Sequence, residues 1–177
     1  MATATMNLPI GSANPPDGSA GNAAPAITRI QGTEANPKKH FLVAQFDPTT
    51  DEHLWWNFRM PANYASAPLV KLLWMANSAS SSTVAWGARL GAVTPTDADT
   101  PVEHASAAAT VVSTAANATE ARRVVETTIT LANLDSVAAG DLAFLLVYRD
   151  ADDTAAAGDT LGVDAELISV ALDYTTT

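Results

Sequence analysis

The sequence predicts an all-β fold, an eight-stranded antiparallel β-sandwich that is jelly-roll-like and carries an extended N-terminal arm. Three observations predict it. From Lys38 onward, short runs alternate apolar and polar side chains with a period of two. Turns rich in Asp, Asn, Ser, Gly and Pro separate these runs. No amphipathic helix of ordinary length interrupts them, and eight strands joined by polar turns point to two packed antiparallel sheets. Strand number alone leaves the topology open between a jelly roll, another sandwich and an open barrel.

Residues 1–36 form the arm and 37–177 the β domain. The first 28 residues carry one charge, Asp17, and consist mostly of Ala, Pro, Gly, Ser, Thr and Asn. Such a composition buries too little apolar surface to offset chain entropy. Pro15, Pro16, Pro25 and Pro37 break helix and ladder alike. The apolar points Met6, Leu8, Ile10, Ile27 and Ile30 are sparse, enough to tether the segment to a groove on a partner. The arm is therefore expected to be mobile in the free chain, and its removal to leave the β domain intact.

In the domain, Lys38–Phe46 reads as the first strand and Asp47–Glu52 as its turn. His53–Met60 follows, with Leu54, Trp56, Phe58 and Met60 on one face and His53, Trp55, Asn57 and Arg59 on the other. Leu69–Ala76 is the third strand, and the polar Asn77–Ser82 loop leads to Thr83–Val93. There Val84, Trp86, Ala88 and Leu90 face the core, and Ala85, Gly87, Arg89 and Gly91 leave room for another backbone to approach. After the Thr94–His104 loop, Ala105–Ser113 is read as a short strand, although its alanines also suit helix. Arg122–Leu131 is the sixth strand. Leu142–Arg149, apolar on both faces, is central, and Val163–Thr175 closes the fold after the polar Asp150–Gly162 loop.

Nine Lys and Arg against nineteen Asp and Glu give a net charge of −10, which excludes nucleic acid and an anionic membrane surface as partners. The absence of cysteine removes disulfide, thiolate and zinc-thiolate chemistry. No secretion signal precedes the domain, and the apolar run Ala143–Tyr148 is too short to cross a bilayer. The expectation is a soluble chain made in the cytoplasm.

Candidate chemistry is sparse. His40, His53 and His104 lack metal-ligand spacing, and no nucleophile elbow or P-loop occurs. His53 reads as part of a solvated turn. Asp150, Asp152, Asp153, Asp159 and Asp164 crowd one loop, where calcium is weighed against simple solvation. EF-hand spacing fails there, with Ala155 in place of Gly and Leu161 in place of Glu. Trp55 and Tyr64 are weighed as a sugar-stacking surface or as interface residues. No catalytic residue and no cofactor is assigned, and the chain is read as a non-enzyme.

The stretch Phe46-Asp47-Pro48-Thr49-Thr50-Asp51-Glu52, then Phe58-Arg59-Met60-Pro61 and Tyr64-Ala65-Ser66, resembles small virion proteins of tailed bacteriophages. The likeness continues through Val84-Ala85-Trp86, Leu145–Ala151 and Asp164-Ala165-Glu166-Leu167 to Tyr174. It implies a head protein similar to cement or decoration proteins, located on the outer capsid surface, made in the host cytoplasm, trimeric, and bound to the major capsid protein. On that reading Met6, Leu8, Ile10, Ile27, Ile30 and Trp55 are the capsid or subunit contacts. The alternative is a carbohydrate- or receptor-binding module on a head fibre or tail appendage. A glycan-processing enzyme ranks third.

Overall fold

The computed structural model describes residues 2–155 and 158–177. Ten strands follow in chain order: β1 (Thr3–Pro9), β2 (Ala26–Gln31), β3 (His40–Phe46), β4 (Glu52–Arg59), β5 (Tyr64–Ala76), β6 (Thr83–Val93), β7 (Thr110–Ala115), β8 (Val125–Thr130), β9 (Leu142–Arg149) and β10 (Ala165–Thr176). Every named pairing is antiparallel. One sheet runs β2-β3-β10-β5-β8, with β1 also on β10; the other runs β4-β9-β6-β7. The eight strands β3–β10 thus divide four and four between two sheets in jelly-roll order, and the all-β sandwich expected from the alternation is what the chain adopts.

The two inner faces meet over three tryptophans. Trp56, Trp74 and Trp86 are each at most 1% exposed. Phe46 meets Trp86 edge-on at 5.0 Å, and Trp74 meets it at 5.9 Å. Leu54 and Trp56 point inward on β4 as their period requires, with Met60 just past its end, and Val84, Trp86, Ala88 and Leu90 do so on β6. Trp74 Nε1 donates to Thr127 Oγ1 at 2.9 Å and Trp56 Nε1 to the Pro9 carbonyl at 3.1 Å, so two of the three indoles satisfy their polar edge.

Residues 2–36 are largely extended, with a short 3-10 turn at Ile10–Ser12, but they are not laid out clear of the body. β1 pairs with β10 from Thr3↔Thr175 to Pro9↔Ser169, taking up the edge of β10 where β3 leaves it at Leu167. Leu8 and Ile10 are buried in the chain's own core, and Met6 packs against it. β2 pairs with β3. Between them, the Asn14 amide donates to the Trp55 carbonyl at 2.7 Å, and the His53 amide donates to the Ala23 carbonyl at 2.9 Å, covering the free edge of β4. The expectation of an arm ordered only by a partner is corrected here. The sparse apolar residues suffice because the ladder bonds come from β10 and the core is already built by others. Removal of the segment would strip β10 of one neighbour.

Smaller differences have local causes. The alanine half of Ala105–Ser113 stays in a loop and the strand begins at Thr110, where β-branched residues start. Arg122 turns the chain with a positive φ of 57°, so Arg122–Val124 precedes β8 instead of opening it. The small residues of β6 make room for rings, not backbone: a Cβ on Gly87 would lie 2.2 Å from the Tyr148 ring, and one on Gly91 would lie 2.0 Å from that of Phe144.

Candidate functional site

Four of the segments carrying the resemblance, Phe46–Glu52, Val84–Trp86, Leu145–Ala151 and the start of Asp164–Leu167, come together around Arg149. Arg149, 0% exposed at the end of β9, donates through Nε and Nη2 to the two Asp159 oxygens at 2.9 and 2.7 Å. It also donates to the carbonyls of Phe46 at 3.1 Å, Val163 at 2.9 Å and Leu161. Asp47 Oδ1 accepts the amides of Thr49 and Thr50, and Glu52 accepts that of Asp47, closing the β3–β4 turn beside it. These residues knot the fold together. They leave no group exposed for chemistry at Arg149 itself.

The outward face of the β4-β9-β6-β7 sheet is different. Residues opposite the core on three adjacent strands project there: His53, Trp55 and Asn57 from β4, Phe144 and Tyr148 from β9, and Arg89 from β6. The loop after β6 folds over part of this face, tied by the Ala107 amide to the Leu90 carbonyl at 3.1 Å. Beneath that loop lies a groove of about 560 Å³. Trp55, Asn57, Arg89 and Phe144 line its floor, and Pro101, Val102, His104 and Ser106 form its wall.

Its geometry is well defined. The Arg89 guanidinium sits 5.5 Å from the Trp55 ring centroid, and Trp55 lies 6.5 Å from Phe144. His104 meets Phe144 edge-on at 5.9 Å. Its Nε2 lies 2.7 Å from Asp135 Oδ2 and its Nδ1 3.2 Å from Asp99 Oδ2. The hydrogen bond to Asp135 holds the imidazole pKa above its ordinary value. Asp135 also accepts the Ala92 amide at 2.9 Å, anchoring the loop to β6. Among the described residues Arg89 forms no ion pair, and its buried Nε has no hydrogen-bond partner.

Beyond Arg89 the same face continues to His53, stacked on Tyr148 at 5.5 Å. His53 is half-buried in a strand, not in a solvated turn, and burial pushes its pKa down. Beside it, one oxygen each from Asp51, Asp150 and Asp152 lie within 4.8 Å of one another. Burial raises the Asp51 pKa, and its Oδ1 accepts the Ala151 amide at 2.7 Å. Asp150 Oδ1 accepts the Ala155 amide at 3.1 Å and Asp152 Oδ1 that of Thr154 at 3.0 Å, so these carboxylates close their own turns. The five-aspartate set weighed as a calcium loop is not gathered: Asp159 is committed to Arg149, and Asp153 accepts the Gly158 and Asp159 amides.

Of the contact residues named from sequence, Leu8 and Ile10 are spent in the core, and Met6 and Ile30 are half-buried. Ile27 is 41% exposed. Trp55 is half-buried in the groove, with Asn57 beside it. Arg59 turns away, its Nε donating to the Gly140 carbonyl at 3.0 Å. Tyr64 packs in the other sheet against Tyr174 at 5.9 Å, so it shares no platform with Trp55. Arg89, Phe144 and His104 were not singled out as partners of Trp55. The signal for the first two was their position on the non-core face, because strand pairing alone converts that into adjacency.

No protein-family model and no curated protein sequence matches the chain. Among solved structures it is similar to a carbohydrate-binding module, TmCBM61 in complex with β-1,4-galactotriose, at 7% identity over 97% of this chain and 87% of that one, with a TM-score of 0.40. A non-crystalline-cellulose-specific module, CBM28, aligns at 13% identity over 93% of this chain and 86% of that one, with a TM-score of 0.45. A chain of infectious bursal disease virus, Gx strain, aligns at 10% identity over 98% of this chain and 32% of that one, with a TM-score of 0.41. The likeness is one of architecture.

Proposed function

We propose that this chain is a non-enzymatic structural protein of a tailed-phage virion, a decoration protein that binds the major capsid protein on the outer capsid surface as a homotrimer and stabilises the head. The observation that carries this reading is the convergence on Arg149. The β3–β4 turn, the end of β9 and the entry to β10, which carry part of the resemblance, are packed around one buried guanidinium, so that part lies in residues that specify the body itself. A protein that binds only the assembled shell stabilises it by mass action. Three linked copies on a symmetry axis gain further through multivalency. The test is to mix the purified chain with capsids lacking it. Co-sedimentation with raised resistance of the shell to heat is expected, with a trimer by native mass spectrometry. Failure to bind any capsid from the phage encoding it would overturn the reading.

The groove favours a second reading, a virion-surface module for carbohydrate or receptor. A concave site of this volume falls within the range of about 300–1,000 Å³ usual for small-ligand sites. Loss of glycan-array binding in Trp55→Ala, with capsid binding intact, is the result expected from it.

A further inference from the structure

We infer that the groove beneath the β6–β7 loop takes an acidic saccharide, whose sugar ring lies against Trp55 and whose carboxylate pairs with Arg89. The inference rests on the second reading above, that the groove is a ligand site, and adds the chemistry of the ligand.

The first support is the state of Arg89. The chain has an excess of ten negative charges, and four of its nine Lys and Arg side chains, Lys71, Arg122, Arg123 and Arg149, pair with carboxylates. Arg89 does not, although its Nε is sealed from water and faces no acceptor among the described residues. A guanidinium presents a rigid fork of donors, and desolvating part of it without a partner is unfavourable. The Arg89 guanidinium lies over the Trp55 ring. A bound carboxylate meeting the outer edge of the guanidinium would supply the missing counter-charge.

The remainder of the groove suits a sugar. Trp55 offers a half-buried aromatic surface of the kind on which a pyranose ring packs its C–H face. Asn57 and Ser106 line the groove and make no side-chain hydrogen bond among the described residues, leaving donors and acceptors free for hydroxyls. The carboxylates nearest the groove do not compete for Arg89, because Asp135 and Asp99 are both engaged by His104. The acidic group of Asp51, Asp150 and Asp152 lies past Arg89 at the His53 end. It would repel an anion there and so orient the ligand toward the Trp55 side. Concavity favours a saccharide over a protein partner, which usually buries a broader and flatter area.

The test is an NMR titration of the full chain with tri-galacturonic acid, with its methyl ester, and with an acidic peptide of equal charge. The acid should bind at least tenfold more tightly than the ester, with shifts centred on the Trp55 and Arg89 amides. Arg89→Gln should erase that preference, and Trp55→Ala should weaken both sugars. If Arg89→Gln fails to fold, Arg89→Lys keeps the charge but loses the fork and should reduce the preference without abolishing it. Equal affinity for acid and ester would overturn the inference while leaving a sugar site in place. Tighter binding of the peptide would overturn the saccharide class. No binding of either sugar at millimolar concentration would overturn the inference and the ligand-site reading together, with the capsid reading standing on its own experiment.

Discussion

Replacing Arg149 with Met removes a fully buried guanidinium and the five hydrogen bonds it donates, two to Asp159 and one each to the carbonyls of Phe46, Leu161 and Val163. The side chain of Asp159, 3% exposed, would keep, among the described residues, the Ala85 amide at 3.1 Å as the remaining partner for its charge. Breaking a buried ion pair from one side costs about 3–5 kcal/mol, chiefly through the stranded charge. Each orphaned carbonyl would add about 1–3 kcal/mol if the loop stayed rigid, but the segment before β10 can relax toward water. A net loss of about 3–5 kcal/mol is therefore expected, a large part of the roughly 5–15 kcal/mol that holds a domain folded. Urea denaturation of Arg149→Met, Asp159→Leu and the double variant measures it. Because the double variant leaves no unpaired charge, its cost should fall short of the sum of the singles by about 1–3 kcal/mol. A loss under about 1 kcal/mol for Arg149→Met, or strict additivity, would refute the assignment of this pair as the clamp on the β9–β10 connection.

Deleting residues 1–12 withdraws Leu8 and Ile10 from the core and uncovers β10, so a loss of about 3–6 kcal/mol is expected from the two side chains alone; a melting temperature within a few degrees of the full chain would count against this. Gly91→Ala places a methyl 2.0 Å from Cε2 of Phe144, so the ring must swing into the groove at a cost of about 1–3 kcal/mol, and Phe144→Leu in the same chain should relieve it. His104 binds its proton more tightly in the fold than in the open chain, chiefly through Asp135. Its contribution is therefore complete below about pH 6.5 and is lost as pH rises through the raised value. The stability difference between the parent and His104→Gln should shrink as pH rises above about 6.5; a flat difference would mean that the imidazole is not charged between its two carboxylates.

The strands most readable in the sequence are those whose alternation separates large apolar from polar side chains. On β4 the period places Leu54, Trp56 and Met60 inward and Trp55 outward, and the fold agrees. β1 has the same period in Ala4, Met6 and Leu8, but it is embedded in low-complexity sequence whose composition argues against order. What composition cannot report is that a distant strand, β10, supplies the ladder. Arg149 is hidden for another reason. A charge at the end of an apolar strand ordinarily reaches water, and its burial depends on the following loop folding back to present Asp159 and the Leu161 and Val163 carbonyls while the distant Phe46 supplies another, an arrangement no spacing motif announces. Half of the groove, Trp55 and Asn57, follows from one strand's period. Arg89 and Phe144 join it only once the order β4-β9-β6 is known.

The place of β10 has a kinetic consequence. It lies at the centre of the larger sheet, bonded to β5 on one side and to β3 and then β1 on the other, yet it is the last strand in the chain. Thr3 meets Thr175 across nearly the whole sequence. At roughly 5–20 residues per second on the ribosome, the first strand waits on the order of ten to thirty seconds for its partner to be made. The larger sheet therefore closes only after translation has passed its final strand, and folding is dominated by long-range contacts of the kind that make β proteins slow. Until then β3 and β5 each present an open edge.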